Sequence, residues 1–187
     1  MTTHMRAFVR RLSGALRRFG RERRGMAALE FSLLLPVMLT LYLGSYEVTT
    51  GVAIQRKVDL TSHALADLAS QFTSIADSDM SNILNAASDI IAPYAAANLQ
   101  VVVSELSINA QGQASVVWSD TLNGTALTVG QTVTIPSSLA VPNTYLILGQ
   151  ASYSYNPTYG YVVTGTMTLN DAIYIVPRES NSIARTS

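Results

Sequence analysis

The chain has 187 residues, and its formal net charge of zero conceals two segments of opposite sign. Residues 1–25 hold eight arginines and one glutamate, a balance of +7, whereas the remainder holds four basic and eleven acidic residues, a balance of −7. The chain contains no cysteine, which excludes disulfides and thiolate sites, and the part that follows an apolar N-terminal segment, about 140 residues, suits one domain.

The chain opens with a basic leader, residues 1–25, that ends in Arg24 and Gly25. An apolar segment follows at once over residues 26–46, with Glu30 as its only charged residue. As a helix, a segment of this length spans about 31 Å, which is enough to cross a bilayer core. Because the arginines precede it and the next basic residue comes ten positions after it, we expect a cytoplasmic N-terminus and an extracytoplasmic C-terminal domain. We interpret the leader as a topology signal rather than a nucleic-acid contact.

Helical periodicity continues beyond this segment and defines a helical region over residues 47–98. Apolar residues alternate at spacings of four and three: Ile54, Val58, Thr61, Leu65, Leu68, Phe72 and Ile75. We expect one long helix, interrupted at Pro36 and Gly51, that is apolar all round in its first half and amphipathic in its second. Glu47 and His63 lie where ordinary solvation is expected.

A second helix is predicted after the run Asp77-Ser78-Asp79, which supplies N-cap chemistry. Its apolar positions again recur at three and four: Met80, Ile83, Leu84, Ala87, Ile90 and Ile91. Pro93 is expected to end or bend this helix.

Strand-forming composition begins after residue 98 and defines a β region over residues 99–178. Two runs rich in β-branched residues, 99–108 and 114–119, flank a turn that contains Gly112, which predicts a hairpin. Residues 120–144 hold at most a short strand, at 131–135.

Residues 144–155 indicate a long strand, and residues 161–169 and 172–176 supply the last strand. The sequence therefore predicts an α+β fold: a long N-terminal transmembrane-to-amphipathic helix and a second helix, packed on an antiparallel sheet of about four strands. The polar residues 179–187 are expected to form a flexible tail.

The junction over residues 23–36, RRGMAALEFSLLLP, resembles the N-terminus of TadE-like proteins of the tight-adherence (Tad/Flp) pilus machinery. Three downstream stretches look like further elements of that family: Trp118-Ser119, the "YxYxP" pattern in residues 151–157, and the terminal "PR" of residues 174–178. The resemblance implies a membrane-anchored minor pilin or pseudopilin that acts in assembly of a Tad-type pilus for surface adhesion and secretion. It places the chain in the bacterial inner membrane with a periplasmic domain, and incorporation into a pilus at the cell surface is a further expectation. The partners it implies are a prepilin peptidase, other pilins and pseudopilins, and pilus assembly proteins.

The resemblance also implies processing by an inner-membrane aspartic prepilin peptidase. Cleavage would fall between Gly25 and Met26 and make Glu30 the fifth residue of the mature chain. Methionine is larger than many residues that follow the scissile glycine in this family. A carboxylate within a bilayer is costly, and the family pairs it with the α-amine of a neighbouring subunit. Removal of the +7 leader also removes charge repulsion that opposes the bundling of helices.

Two other interpretations stay open. The first is an uncleaved, membrane-anchored periplasmic binding or scaffold module. The second is a secreted protein released by ordinary signal peptidase after Ala53, although that position lies well beyond the apolar run and has Glu47 in its approach.

No arrangement of Ser, His and acid, of Cys and His, or of zinc ligands is present among two histidines and no cysteines. We therefore expect no enzymatic activity, no cofactor, no metal site, no small-molecule substrate and no nucleic-acid partner. Tyr153 and Tyr155 share one face of the predicted strand, where they serve either as core cover or as a protein contact surface, and core cover is the default expectation.

Overall fold

The structure, a computed structural model, describes residues 23–157 and 165–186, and it describes residues 23–25 by their backbone only. Most of the basic leader, the first part of the strand predicted from residue 161, and the last residue of the tail lie outside this description. The fold is α+β, as predicted. Helices α1 (Arg23–Ser70) and α2 (Asp77–Ile91) pack against a curled antiparallel sheet.

The strands of the described residues are Ser74–Ile75 (β1), Leu99–Ile108 (β2), Ala114–Leu122 (β3), Thr132–Val133 (β4), Tyr145–Tyr155 (β5), Met167–Ile175 (β6) and Ala184–Arg185 (β7). The main sheet has five strands in the order β4-β3-β2-β5-β6, and every neighbouring pair is antiparallel. The predicted hairpin is β2–β3 and the predicted long strand is β5. The short β4 raises the strand number from the expected four to five.

Helix α1 runs without a break for 48 residues, through both Pro36 and Gly51, where interruptions were expected. Its buried face includes the predicted residues Ile54, Val58, Thr61 and Leu65. It then departs from the prediction, because Leu68 is 37% exposed whereas Ala69 is fully buried. A helix of 3.6 residues per turn moves steadily away from a strict alternation of four and three, so the next buried position falls one residue later.

Helix α2 buries the predicted residues Met80, Ile83, Leu84, Ala87 and Ile91. The Asp79 carboxylate accepts a hydrogen bond from the backbone N–H of Ala76 at 3.2 Å, so this acid reaches back from inside the first turn and is not itself the N-cap. At the other end, Lys57 Nζ of α1 donates to the carbonyl oxygen of Ile90 at 2.9 Å. That bond satisfies an end carbonyl of α2 and ties the two helices together.

The sheet separates two clusters of apolar side chains. The main core lies between the helices and the inner face of the sheet, and a smaller outer core lies under the loop 123–144, with Leu106, Ile108, Ala114, Val116, Leu146 and Leu148. A bulge in β3 changes which face its side chains meet. Glu105 pairs with Trp118, while the next residue, Leu106, pairs with Val116. The extra residue, Val117, turns Trp118 into the main core and leaves Val116 in the outer core.

Strand β5 makes its closest approach to α1 at Gly149. A Cβ at this position would lie 2.6 Å from the carbonyl oxygen of Ser62 and 2.9 Å from Ala66 Cβ, distances that only glycine permits. Ser62 is not among the apolar positions listed for this helix, but it is fully buried, and its hydroxyl donates to the Asp171 carboxylate of β6. Helix and sheet are therefore packed with almost no space between their backbones.

The end of the chain is docked onto the domain, which corrects the flexible tail expected over residues 179–187. Strand β7 pairs in parallel with β1, and Ile183 is 1% exposed. Arg185 donates to both carboxylate oxygens of Asp120, at 2.9 and 3.1 Å, and its Nη2 lies 2.8 Å from Asp77 Oδ1. Periodicity could not reveal this docking, because a single apolar residue in a polar stretch has no period.

Candidate functional site at the N-terminal junction and the apolar helix

The three residues predicted for processing and assembly lie together at the start of α1. The described part of α1 starts at Arg23, so Gly25 and Met26 both have helical backbone, and the Met26 side chain is 62% exposed. Glycine within a helix costs about 1 kcal/mol relative to alanine. Gly25 therefore lowers the stability of the helix locally.

Glu30 lies one helical turn beyond Met26, with an exposed side chain. Among residues 23–157 and 165–186, no ion pair or hydrogen bond joins its carboxylate to another residue. Residues four apart share a face of a helix. A carboxylate at Glu30 and an α-amine at Met26 would consequently lie on the same side of α1.

The segment that follows is long and apolar enough to cross a membrane, by length and composition, and none of its most apolar window is buried by the rest of the domain. Its serine and threonine hydroxyls donate to the helix backbone at 2.7 to 2.9 Å: Ser32 to the Ala28 carbonyl, Thr40 to Pro36 and Ser45 to Tyr42. Such bonds satisfy each hydroxyl hydrogen within the helix itself. They make the segment chemically compatible with lipid, where water is not available as a partner.

Glu47, close to the first turn of α1 that the globular domain covers, is 1% exposed, so the prediction that it is solvated is wrong. Tyr155, at the end of β5, donates from Oη to the backbone carbonyl oxygen of Glu47 at 3.3 Å. Its ring also covers Gly51, where a Cβ would lie 3.6 Å from Tyr155 Cε1. Burial raises the pKa of Tyr155, and the negative charge of Glu47 raises it further. The sequence did carry a signal: Glu47 precedes the buried Ile54 by seven residues, or two helical turns, and so shares its face.

Tyr153, two residues before Tyr155, confirms the expectation of core cover. It is 4% exposed in the main core, and its ring meets that of Tyr94 edge-on, with centroids 6.5 Å apart. The alternation of strand side chains thus directs both tyrosines of the "YxYxP" pattern to the inner face, one against the core and one against α1.

Trp118 and the C-terminal segment form a buried polar cluster with Glu105. Trp118 Nε1 donates to the carbonyl oxygen of Ile183 at 2.8 Å, and the Glu105 carboxylate accepts from the backbone N–H of Ile183 at 2.6 Å. Burial raises the pKa of Glu105, while the hydrogen bonds from Ile183 and Trp118 act in the opposite direction. This cluster holds the end of the chain against the sheet.

The terminal Pro-Arg element lies at the end of α1. The backbone N–H of Arg178 donates to the Ser70 carbonyl oxygen at 2.9 Å, and its guanidinium pairs with the Asp67 carboxylate. Pro177 is buried. The element therefore fastens the chain that leaves β6 to the last turn of the long helix.

The outer face of the sheet leaves an open trough of about 570 Å³ beside the outer core. Uncharged polar side chains dominate its lining, among them Gln100, Gln150, Ser152 and Asn170. Asp171 also borders it, but its carboxylate is engaged by Ser62 of α1. The lining thus offers no nucleophile with an adjacent base, and within the described ranges no three His, Cys, Asp or Glu side chains group in a way that could hold a metal ion.

No family model matches the chain, and no curated protein or solved structure matches it.

Proposed function

We propose that this chain is a TadE-like minor pilin or pseudopilin. It is anchored in the bacterial inner membrane by α1, processed by a prepilin peptidase after Gly25, and acts in assembly of a Tad-type pilus for surface adhesion and secretion. The observation that carries the proposal is one continuous helix that presents Gly25, Met26 and Glu30 at its start, an exposed apolar segment next, and a folded domain on its second half.

The local physics at Gly25 favours processing there. A peptidase needs unwound chain at its scissile bond, and glycine makes unwinding of the first helical turns easier. The cut separates the +7 leader from the apolar segment, so that the charge which opposes close approach of several such helices is removed.

The environment of Glu30 favours assembly. Its carboxylate lies within the apolar segment, where an unpaired charge costs several kcal/mol. Cleavage creates a positive α-amine on Met26, and pairing with the amine of a neighbouring subunit neutralises both groups.

The decisive measurement is the N-terminus of the protein extracted from membranes of its native host. Intact mass and N-terminal sequencing should give a chain that starts at Met26. Gly25→Ala, or a bulkier residue there, should leave residues 1–25 attached, while Gly20→Ala, a matched change within the leader, should be processed normally.

Other starting points would contradict the proposal in distinct ways. A wild-type chain that starts at Met1 would support the uncleaved membrane-anchored module, and one that starts at Ile54 would support secretion after Ala53. Normal maturation of the Gly25 variants would remove the peptidase assignment.

A further inference from the structure

The domain begins where the apolar part of α1 ends, with no free stalk between them. All side chains from Met26 to Tyr42 are exposed, and the first buried positions are Gly44 and Glu47. The apolar run of 18 residues from Met26 to residue 43 spans about 27 Å as a helix, close to the hydrocarbon thickness of about 30 Å. If α1 crosses the bilayer, Glu47 therefore lies at the level of the outer headgroups.

Strand β5 runs alongside α1 towards that level. Gly149 lies against Ser62 and Ala66 of α1. Tyr155 lies against Glu47 and Gly51, which precede Ser62 and Ala66 by fifteen residues each. Six strand residues cover about 20 Å, and fifteen helical residues cover about 22 Å, so the two elements stay aligned along this whole distance. The end of β5 consequently reaches the membrane-proximal turn of α1.

The start of β6 comes to the same level, because Met167 pairs directly with Tyr155. Met167 is 39% exposed, and Gly165, Thr166 and Thr168 beside it are exposed as well. Only one Asp, Glu, Lys or Arg occurs in residues 42–55, 152–157 and 165–170 together: Glu47, which is buried. The described surface that these three ranges form is thus free of exposed charge, with Tyr42 and Tyr46 exposed on the helix at 69% and 56%.

We infer that the paired ends of β5 and β6, with the turn of α1 around Glu47, form a surface that rests on phospholipid headgroups. The inference depends on the membrane-spanning part of the proposed function, and on neither cleavage nor pilus assembly. Tyrosine rings favour the interface between water and hydrocarbon. Because this surface exposes no carboxylate, lipid phosphates do not repel it. The one carboxylate in these ranges, that of Glu47, is buried. The domain is therefore seated on the outer leaflet with β6 turned towards it.

The absence of cysteine from the chain makes a single-label experiment direct. Full-length Met167→Cys and Thr166→Cys variants, each carrying an environment-sensitive fluorophore, are reconstituted into phosphatidylglycerol–phosphatidylethanolamine vesicles that contain headgroup-nitroxide lipid. Leu34→Cys, at an exposed position in the apolar segment, reports the span, and Ala110→Cys, in the β2–β3 turn at the far end of the sheet, is the matched control. Headgroup nitroxides should quench positions 166 and 167 several-fold more than position 110, while acyl-chain nitroxides quench position 34.

Two results would overturn the inference and can be told apart. Quenching at 166 and 167 no stronger than at 110, with position 34 in the hydrocarbon, would mean that the domain stands away from the membrane on a spanning helix. If acyl-chain nitroxides quench position 34 no more strongly than position 110, α1 does not cross the bilayer, and the inferred headgroup contact fails as well.

Discussion

The Glu105 carboxylate of β2 and the backbone N–H of Ile183, 78 residues later in the chain, are joined by a buried hydrogen bond of 2.6 Å. The indole N–H of Trp118 donates to the carbonyl of the same residue. Both backbone polar groups of Ile183 are thereby satisfied by side chains of the hairpin β2–β3, and the last residues of the chain become part of the core.

The first prediction concerns pH. Because burial raises the folded-state pKa of Glu105 above its unfolded value, the folded chain binds this proton more tightly than the unfolded chain. The contribution of Glu105 to the free energy of unfolding is therefore greatest below the unfolded pKa, falls as the pH rises through the folded pKa, and then levels off. Denaturant titration of the full chain in detergent, followed by the fluorescence of its single tryptophan, Trp118, measures this. Glu105→Gln should lose that part of the pH dependence, and identical pH profiles for both proteins would contradict the argument.

The second prediction separates two arginines near the C-terminus. Arg185 makes a bidentate contact with Asp120 and a second contact with Asp77, at a side-chain exposure of 21%. Arg185→Ala should lower the free energy of unfolding by about 1–3 kcal/mol, as expected for hydrogen bonds between charged, half-buried groups. Arg178→Ala, which breaks a pair with side chains 56% and 38% exposed, should cost only about 0–1 kcal/mol. A double-mutant cycle with Asp120→Asn checks the source of the larger effect, and equal losses at the two arginines would contradict it.

The third prediction uses two glycines of opposite character. Gly149→Ala drives a Cβ into the backbone of α1 and should destabilise the fold by about 1–3 kcal/mol. Gly51→Ala meets only ordinary contact with Tyr155 and lies inside a helix, so it should stabilise the fold by up to about 1 kcal/mol. Thermal unfolding of the two variants side by side should move the midpoint in opposite directions. A Gly149→Ala variant as stable as the wild type would mean that helix and sheet are not packed this closely.

The fourth prediction tests the docked C-terminus. Ile183→Ala removes a side chain that is 1% exposed and should cost about 2–5 kcal/mol, whereas Val176→Ala, at 61% exposure, should change stability by less than about 0.5 kcal/mol. Limited proteolysis should in addition release the C-terminal residues of the Ile183 variant first. Equal stability of both variants would mean that the C-terminal residues are not docked and form the flexible tail that the sequence suggested.

The fifth prediction concerns assembly. Glu30→Gln should be cleaved normally but should enter pili poorly, because the uncharged amide cannot neutralise an α-amine in an apolar interior. Ser32→Ala is a neighbouring control, since this hydroxyl donates to the Ala28 carbonyl of its own helix at 2.7 Å. Mass spectrometry of membrane protein measures cleavage, and immunoblots of sheared pili measure incorporation. Wild-type incorporation of Glu30→Gln would remove the assembly role of the carboxylate.

Much of the fold could be read from periodicity, because its elements are long. The helix through residues 54–65, the helix α2, the β2–β3 hairpin and β5 all carry regular patterns, and each is present. The bulge at Val117 was not predicted, since one extra residue changes which face a side chain meets without changing the composition of the strand.

For the candidate site, the sequence supplies the residues, and their roles stay a prediction. The sequence marks Gly25, Met26 and Glu30 by their order, and the structure places Met26 and Glu30 on one side of the helix. The burial of Glu47 by Tyr155 was missed, because it depends on a strand more than a hundred residues away that ends at this helical turn. Charge alone predicted solvation there, and tertiary packing decided otherwise.

The unbroken course of α1 fixes a helical phase between its two halves. At about 100° per residue, Glu30 lies about 100° around the helix axis from Glu47, whose side chain the domain covers completely. One inserted residue in the exposed segment would rotate Glu30 by about 100° relative to the domain, onto the same side of the helix as Glu47, while leaving its chemistry and the apolar length almost unchanged. The direction from which a neighbouring chain can reach this carboxylate is therefore set by the number of residues that separate it from the domain.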